Sequence, residues 1–183
     1  MRTYMDRFTI SAEDTRGTVV YTGLMTPCPG VIVAKAGTVY QPTMLEYMTL
    51  PFSYWKGSLK LTLQCIMSKV QNVRVIVCTH YGRAASTVSF DKATSQYATI
   101  IDFSAENTTV EVEFPWRSTR ENLRVPNGEM SSPSSYSMGE YSIRVLNPLQ
   151  TMDSAAPEVE FNMYLSAGDD FKTDFLGSNA IDL

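Results

Sequence analysis

The sequence predicts an all-β sandwich or barrel. Apolar and polar residues alternate with period two in segment after segment, and a tight reversal joins two of these segments. The alternation is clearest from Gly57 to Lys69. Leu59, Leu61, Leu63, Cys65 and Met67 hold the odd positions, and only Ile66 interrupts the polar face between them. Successive strand side chains point to opposite faces, so this is a strand with one buried side.

The other elements follow in order. Tyr4 to Ser11 and Thr18 to Met25 are β-rich but less regular. Thr43-Met44-Leu45-Glu46, after Pro42, has capping-box spacing: the Thr43 hydroxyl accepts from the Glu46 amide while Glu46 reaches back. A short helix is predicted from Met44 towards Leu50. Pro51 stops it, because proline has no amide hydrogen and clashes with the preceding turn. Ser68 to Asn72 predicts a tight reversal, with the flanking strands as an antiparallel hairpin. That register sets Cys65 opposite about Val75 and Cys78 opposite about Thr62. Val73, Val75 and Val77 then alternate with Arg74, Ile76 and Cys78. The same pattern marks strands around Tyr97 to Phe103, Val110 to Trp116, Tyr141 to Leu146 and Val159 to Leu165. The total is roughly eight. Val125 to Gly139, rich in Pro, Gly and Ser, reads as a long exposed loop.

Composition narrows the function. The 183 residues, 44% apolar and 19% charged, suffice for one domain with a full core. No apolar run approaches the length of a membrane span, so no membrane insertion is predicted. A net charge of −4 excludes a domain held to nucleic acid by general phosphate neutralisation, though a local basic patch can still touch RNA. Cys28, Cys65 and Cys78 form no CxxC pair, and their odd number argues for free thiols in a reducing compartment. With a lone histidine and no HExxH, GxSxG or P-loop motif, neither a metal centre nor a cofactor nor a hydrolase is predicted. His80 reads as a hydrogen-bonded surface or half-buried histidine, with pH sensing as the alternative. Trp55 and Trp116 read as rings packing strand ends, with stacking on RNA bases as the alternative. Arg117, Arg120 and Arg124, with Lys56 and Lys60, read either as a basic patch or as a solvated rim.

Three stretches resemble picornavirus-like capsid proteins. Pro42 to Leu61, with its helix signal and Phe52-Ser-Tyr-Trp55-Lys-Gly57-Ser-Leu59, is similar to that family's short helix and the aromatic-rich F-x-x-[WY]-[RK]-G-[ST]-[LI] strand start. Asp102 to Trp116, containing Val112-Glu113-Phe114-Pro115, resembles a strand pair ending in E-[VF]-x-[VF]-P. Leu165-Ser-Ala167-Gly168-Asp169-Asp170-Phe171 resembles the final strand and its [SA]-A-G-x-D-F exit. The Asp-Asp doublet is closer to insect dicistroviruses, iflaviruses and marine algal viruses than to vertebrate picornaviruses. Members of the family carry a longer N-terminal arm than the few residues that precede the first strand here.

The resemblance implies an all-β, eight-stranded antiparallel jelly-roll sandwich of the viral capsid type, with one short helix between strands C and D. Strands B to I then fall at about 4–11, 18–25, 58–68, 72–81, 97–103, 109–116, 140–147 and 158–166. They pair as B-I-D-G and C-H-E-F, in a single domain over 1–183 with 167–183 as a C-terminal tail. It implies a structural capsid protein rather than an enzyme, without cofactor or metal. This would be one of three large subunits in the icosahedral shell of a small positive-strand RNA virus. The implied partners are two other capsid subunits and further copies of this chain, with weak genomic RNA contact on the inner face of the virion. Asp169, Asp170 and Phe171 become candidates for a part in precursor maturation cleavage. Adjacent carboxylates supply an ionised base and a protonated acid if proximity raises one pKa. The alternative is a solvated strand-exit turn. Phe171, Phe175, Leu176 and Ile181 have little to bury them locally, which makes the tail a candidate clamp on an adjacent subunit rather than a frayed terminus. The competing class is a jelly-roll carbohydrate-binding module, which would usually carry a cluster of Asp, Asn and aromatic residues that the sequence does not display.

Overall fold

The computed structural model describes residues 2–29, 42–82, 85, 88–126, 133–152 and 156–177. Within them the strands are β1 (Thr3–Ser11), β2 (Val19–Leu24), β3 (Phe52–Lys56), β4 (Leu59–Ile66), β5 (Asn72–Tyr81) and β6 (Tyr97–Phe103). They continue with β7 (Thr109–Phe114), β8 (Leu123–Arg124), β9 (Gly139–Gln150), β10 (Glu158–Ala167) and β11 (Lys172–Leu176). The helices are α1 (Met44–Thr49) and α2 (Phe90–Thr94).

Strands that alternate apolar with polar must bury one face, and here two four-stranded sheets bury theirs against each other. One sheet runs β1-β10-β4-β7 and the other β2-β9-β5-β6, with antiparallel neighbours throughout. These are the expected B-I-D-G and C-H-E-F orders. The inward residues of β4 (Leu59, Leu61, Leu63, Cys65), β5 (Val73, Val75, Val77), β9 (Tyr141, Ile143, Val145) and β10 (Val159, Phe161, Met163, Leu165) form a single core. Phe161 is its hinge pin. Its ring stacks on Phe8, its register partner on β1, with centroids 4.8 Å apart, and meets Phe103 of the opposite sheet edge-on at 5.1 Å.

The helix start is as expected. The Glu46 amide donates to Thr43 Oγ1 at 3.2 Å and the Thr43 amide donates to Glu46 Oε2 at 3.3 Å. The hairpin expectation fails. β4 and β5 lie in different sheets, and residues 67–71 cross between them. Gln71 holds this crossing by accepting from the Ser68 amide and donating to the Ala156 carbonyl, both at 2.8 Å. Cys65 therefore registers with Phe161, not Val75. Cys78 points away from the main core into a second small cluster with Ile76, Val88 and Ala93, roofed by α2. All three cysteines are free and buried, and burial pushes the Cys65 thiol up to about 12. The expected loop from 125 to 139 is not wholly exposed either, because Tyr136 and Met138 are buried.

The core assigns costs. Phe161→Ala is expected to destabilise the fold by about 3–5 kcal/mol, the range for emptying a packed aromatic site. Ile100→Thr, on the exposed face of β6, is expected to change stability by no more than about 0.5 kcal/mol. Urea titration of the two variants checks both values.

Candidate functional site at the strand exit

A third, three-stranded sheet caps one end of the sandwich in the order β11-β3-β8. Its anchor is Trp55 on β3, which is fully buried. The Trp55 indole donates to the Tyr136 carbonyl at 3.2 Å. Trp116 meets the same ring edge-on at 5.4 Å, and Phe171 stacks on it at 6.0 Å. The two tryptophans thus pack strand ends, as their positions predicted.

Beside this cluster the turn leaving β10 lies against the start of β4. The Gly168 amide donates to the Ser58 carbonyl at 2.8 Å. Asp170 Oδ1 accepts from the Ser58 amide at 2.8 Å and also from the Ser58 hydroxyl. Two glycines allow this approach. Gly57 has a φ of +111°, and a Cβ there would sit 2.5 Å from the Phe171 Cα. A Cβ on Gly168 would collide with the Ser58 side chain. The Ser58 hydrogen bonds hold the Asp170 carboxyl below its ordinary range. Asp170 is thus the ionised latch of a folded turn, and its carboxyl is not the protonated acid that a carboxylate pair would need. The Asp169 side chain is fully exposed, 3.5 Å from Lys60 Nζ.

The candidate interface residues separate. Phe171 is half-buried on its own core. The expectation of little local burial fails for it because Trp55 offers a ring to stack on. Phe175 and Leu176 are 73% and 75% exposed. Phe175 has a φ of +58° and falls between the registered pairs Asp174–Tyr54 and Leu176–Phe52, which keep one register, so it stands across from Ser53 in a left-handed conformation. Its ring leans edge-on against Tyr54 at 6.1 Å. Ile181 lies outside the described residues. Three of the five basic residues have separate neighbours. Arg117 stacks on Tyr97, Lys60 faces Asp169, and Arg124 pairs with Tyr54 across β8 and β3.

His80 is buried, not half-buried. Its Nδ1 faces Gln96 Oε1 at 3.1 Å and its Nε2 faces Ser142 Oγ at 3.0 Å. The buried Arg144 donates to Ser142 Oγ at 3.2 Å and to the Val88 carbonyl at 2.7 Å, tying the segment before α2 to β9. Burial pushes the imidazole below its ordinary 6.5, and the Arg144 charge acts in the same direction against the opposing influence of Gln96 and Glu140. The roles of Ser58 and Arg144 had no signal in the sequence beyond Gly57 before Ser58 and a charged residue inside a strand pattern.

The chain can now be compared with known proteins. Its fold matches a chain in the structure of black queen cell virus with a TM-score of 0.83 and 21% identity, over 96% of this chain and 72% of that one. It matches a marine algae virus of the order Picornavirales at 0.81 and 22%, over 100% and 74% of the two chains. The chain is a jelly roll of the Picornavirales capsid type. The jelly roll also matches deformed wing virus carrying the GFP gene at 0.86 and 20% identity, over 100% of this chain and 48% of that one. In sequence it is 28% identical over 138 residues to a genome polyprotein of avian encephalomyelitis virus strain Van Reokel, and 26% identical over 165 residues to that of strain L2Z. The jelly roll spans only 6% and 8% of those polyproteins. No protein-family model matches it.

The two titrating groups predict a two-step acid profile. The fold prefers neutral His80, so that contribution is complete above about 6.5 and is lost as pH falls below it. The fold prefers ionised Asp170, so that contribution holds above about 3.9 and is lost as pH falls through the lower folded value. Melting temperature followed against pH should show both steps. His80→Gln should remove the first, and Asp170→Asn should shrink the second, which Asp102, held low by its hydrogen bonds from Arg74, shares.

Proposed function

We propose that this chain is a structural capsid protein, one of three large jelly-roll subunits in the icosahedral shell of a small positive-strand RNA virus. The observation that carries the reading is the capsid-type sandwich, matched over nearly the whole chain in several virus structures. The relation to picornavirus genome polyproteins supports it from sequence. The protein works by geometry rather than by catalysis. It resides in the virion, assembled in the host cytoplasm against two other capsid subunits and further copies of itself. Residues 1–183 act as one domain, and 167–183 as its tail. A net charge of −4 limits any contact with genomic RNA on the inner face to local basic residues such as Arg120 and Arg124.

Assembly runs through the third sheet. Among the described residues β11 is an edge strand without a partner on its outer side, and its own Phe175 and Leu176 stand exposed. Next to them, α1 and β11 enclose an apolar groove of about 390 Å³ lined by Met44, Met48, Phe52 and Phe171. A neighbouring subunit covers these surfaces. Sedimentation and negative-stain microscopy of native material test the reading. Uniform icosahedral particles containing this chain and two subunits of similar size are expected, and a monodisperse monomer or dimer from intact, co-expressed material overturns it. Phe175→Asp with Leu176→Asp should leave the subunit folded and reduce particle yield by about tenfold or more, the scale of one lost interface hot spot.

Any part in precursor cleavage falls to Asp169, because its carboxylate is free of the latch. Asp169→Asn should leave assembly intact and stall precursor processing on a denaturing gel. Normal processing in that variant sinks the catalytic role.

A further inference from the structure

The outer face of the third sheet carries a conflict of charge. Lys172 of β11 stands directly opposite Lys56 of β3, and Asp174 stands opposite Tyr54 two residues on. Trp55 and Leu123 are buried on the inner side, so Lys56, Tyr54, Lys172, Asp174 and Arg124 share the solvent side. Like charges directly opposite each other on one face are destabilising. Among the described residues none of Lys56, Lys172 and Asp174 takes part in an ion pair. Asp170 does not relieve Lys172. Its carboxyl is held by Ser58, and the Lys172 charge is the last of the influences on it. The edge strand thus presents a lysine and an aspartate, two residues apart on one face, each without a counter-charge.

The backbone of that edge has a fixed alternation. The Val125 amide donates to the Ser53 carbonyl at 2.9 Å. The odd residues of β3 therefore turn their backbone groups to β8, and the even residues turn theirs to β11. Lys172 and Asp174 pair with the even residues Lys56 and Tyr54, which leaves the Thr173 amide and carbonyl on the outer edge. Among the described residues no strand pairs with that edge.

We infer that the neighbour at this edge is a second copy of this chain, paired β11 to β11 in antiparallel fashion about a two-fold axis at Thr173. The inference rests on the reading of the third sheet as an assembly surface and names its occupant. A two-fold pair is self-complementary, so placing the axis fixes every partner. An axis at Lys172 sets lysine against lysine, and one at Asp174 sets aspartate against aspartate. An axis at Phe175 puts a left-handed residue at the centre of the ladder. An axis at Thr173 sets Lys172 of each copy against Asp174 of the other, which makes two ion pairs on the outer face. It also lets the outward Thr173 amide and carbonyl bond to their counterparts. The same register brings the exposed Phe175 of each copy level with Phe171 of the other, beside the apolar groove that Phe171 and Thr173 line. The two third sheets become one sheet of six strands, and in a closed shell the contact lies on a two-fold axis.

Cysteine cross-linking tests the register. Antiparallel partners that exchange backbone hydrogen bonds have Cα atoms about 5.5 Å apart, inside the range a disulfide spans. Thr173→Cys should therefore give a disulfide-linked dimer on a non-reducing gel after oxidation with diamide, in assembled particles and in the concentrated purified chain. The native cysteines are buried, so the unsubstituted chain serves as the blank. Lys172→Cys alone and Asp174→Cys alone should give little, because the register holds like residues beyond disulfide reach. A mixture of those two chains should give the linked dimer. Lys172→Asp added to Thr173→Cys should cut the yield about fivefold or more by setting carboxylates against each other, and Asp174→Lys added to both should restore it. Should Thr173→Cys melt early, the mixed Lys172→Cys and Asp174→Cys chains take its place. Particles without the linked dimer, cross-linking of Lys172→Cys alone equal to that of the mixture, or no recovery in the charge swap overturns the inference and leaves the shell function standing. If no particles form, the shell function falls, and the same bands from the purified chain decide the inference.

Discussion

Trp55 gathers three distant parts of the chain at one place. It stands on β3, takes Trp116 from the end of β7 on its edge, and takes Phe171 from the turn after β10 on its face. Burying a ring of this size without residual solvent contact requires all three to be present at once, and the Tyr136 carbonyl must be there to accept the indole hydrogen. Gly57 and Gly168 follow from this constraint. The turn carrying Phe171 reaches Trp55 only if the backbone passes where a Cβ would stand. The Asp170–Ser58 hydrogen bonds then hold what the stacking positions. A residue pattern that invites a catalytic reading is, in its second aspartate, part of the joint that closes the sandwich end.

This joint explains why the motif resemblance was specific although each piece was weak. Phe52 to Leu59, Phe114 to Trp116 and Gly168 to Phe171 are far apart in sequence, yet they share one packing problem. The strands themselves were legible from alternation alone, because each inner face is one row of apolar residues. Alternation does not say which sheet a strand joins. The inner faces of β4 and β5 look alike in sequence, and the short connection between them suggested a hairpin where the chain instead crosses the sandwich. β8 was illegible because two residues carry no period, and α2 because five residues carry little more. β11 was read as an unsupported tail, since its pairing with β3 depends on a turn whose geometry only Ser58 explains.

The buried polar side chains mark a second kind of illegibility. Arg144 and Ser142 occupy the outward positions of β9, where a strand pattern places solvent. They are buried because the segment leading into α2 folds over them, and the Ala85 and Val88 carbonyls supply acceptors for the guanidinium. His80 sits under the same cover. A neutral imidazole between Gln96 and Ser142, close to a buried arginine, is a cluster that loses stability when a proton is added. The first acid step of this fold is thus set by a loop attachment and is separate from the core.

At the opposite extreme of burial, Phe175 keeps an aromatic side chain in a left-handed backbone conformation at an exposed position of β11. Such a conformation in a bulky residue costs about 1–3 kcal/mol, and its edge-on contact with Tyr54 returns only about 0.5–1.5 kcal/mol. Within one subunit this conformation therefore ranges from a gain of about 0.5 to a cost of about 2.5 kcal/mol. A neighbour that buries the Phe175 and Leu176 side chains contributes about 1.5–3 kcal/mol for each, enough to offset the strain and leave a surplus for association. An apolar pair to bury and an edge to pair together restrict which chain can add there.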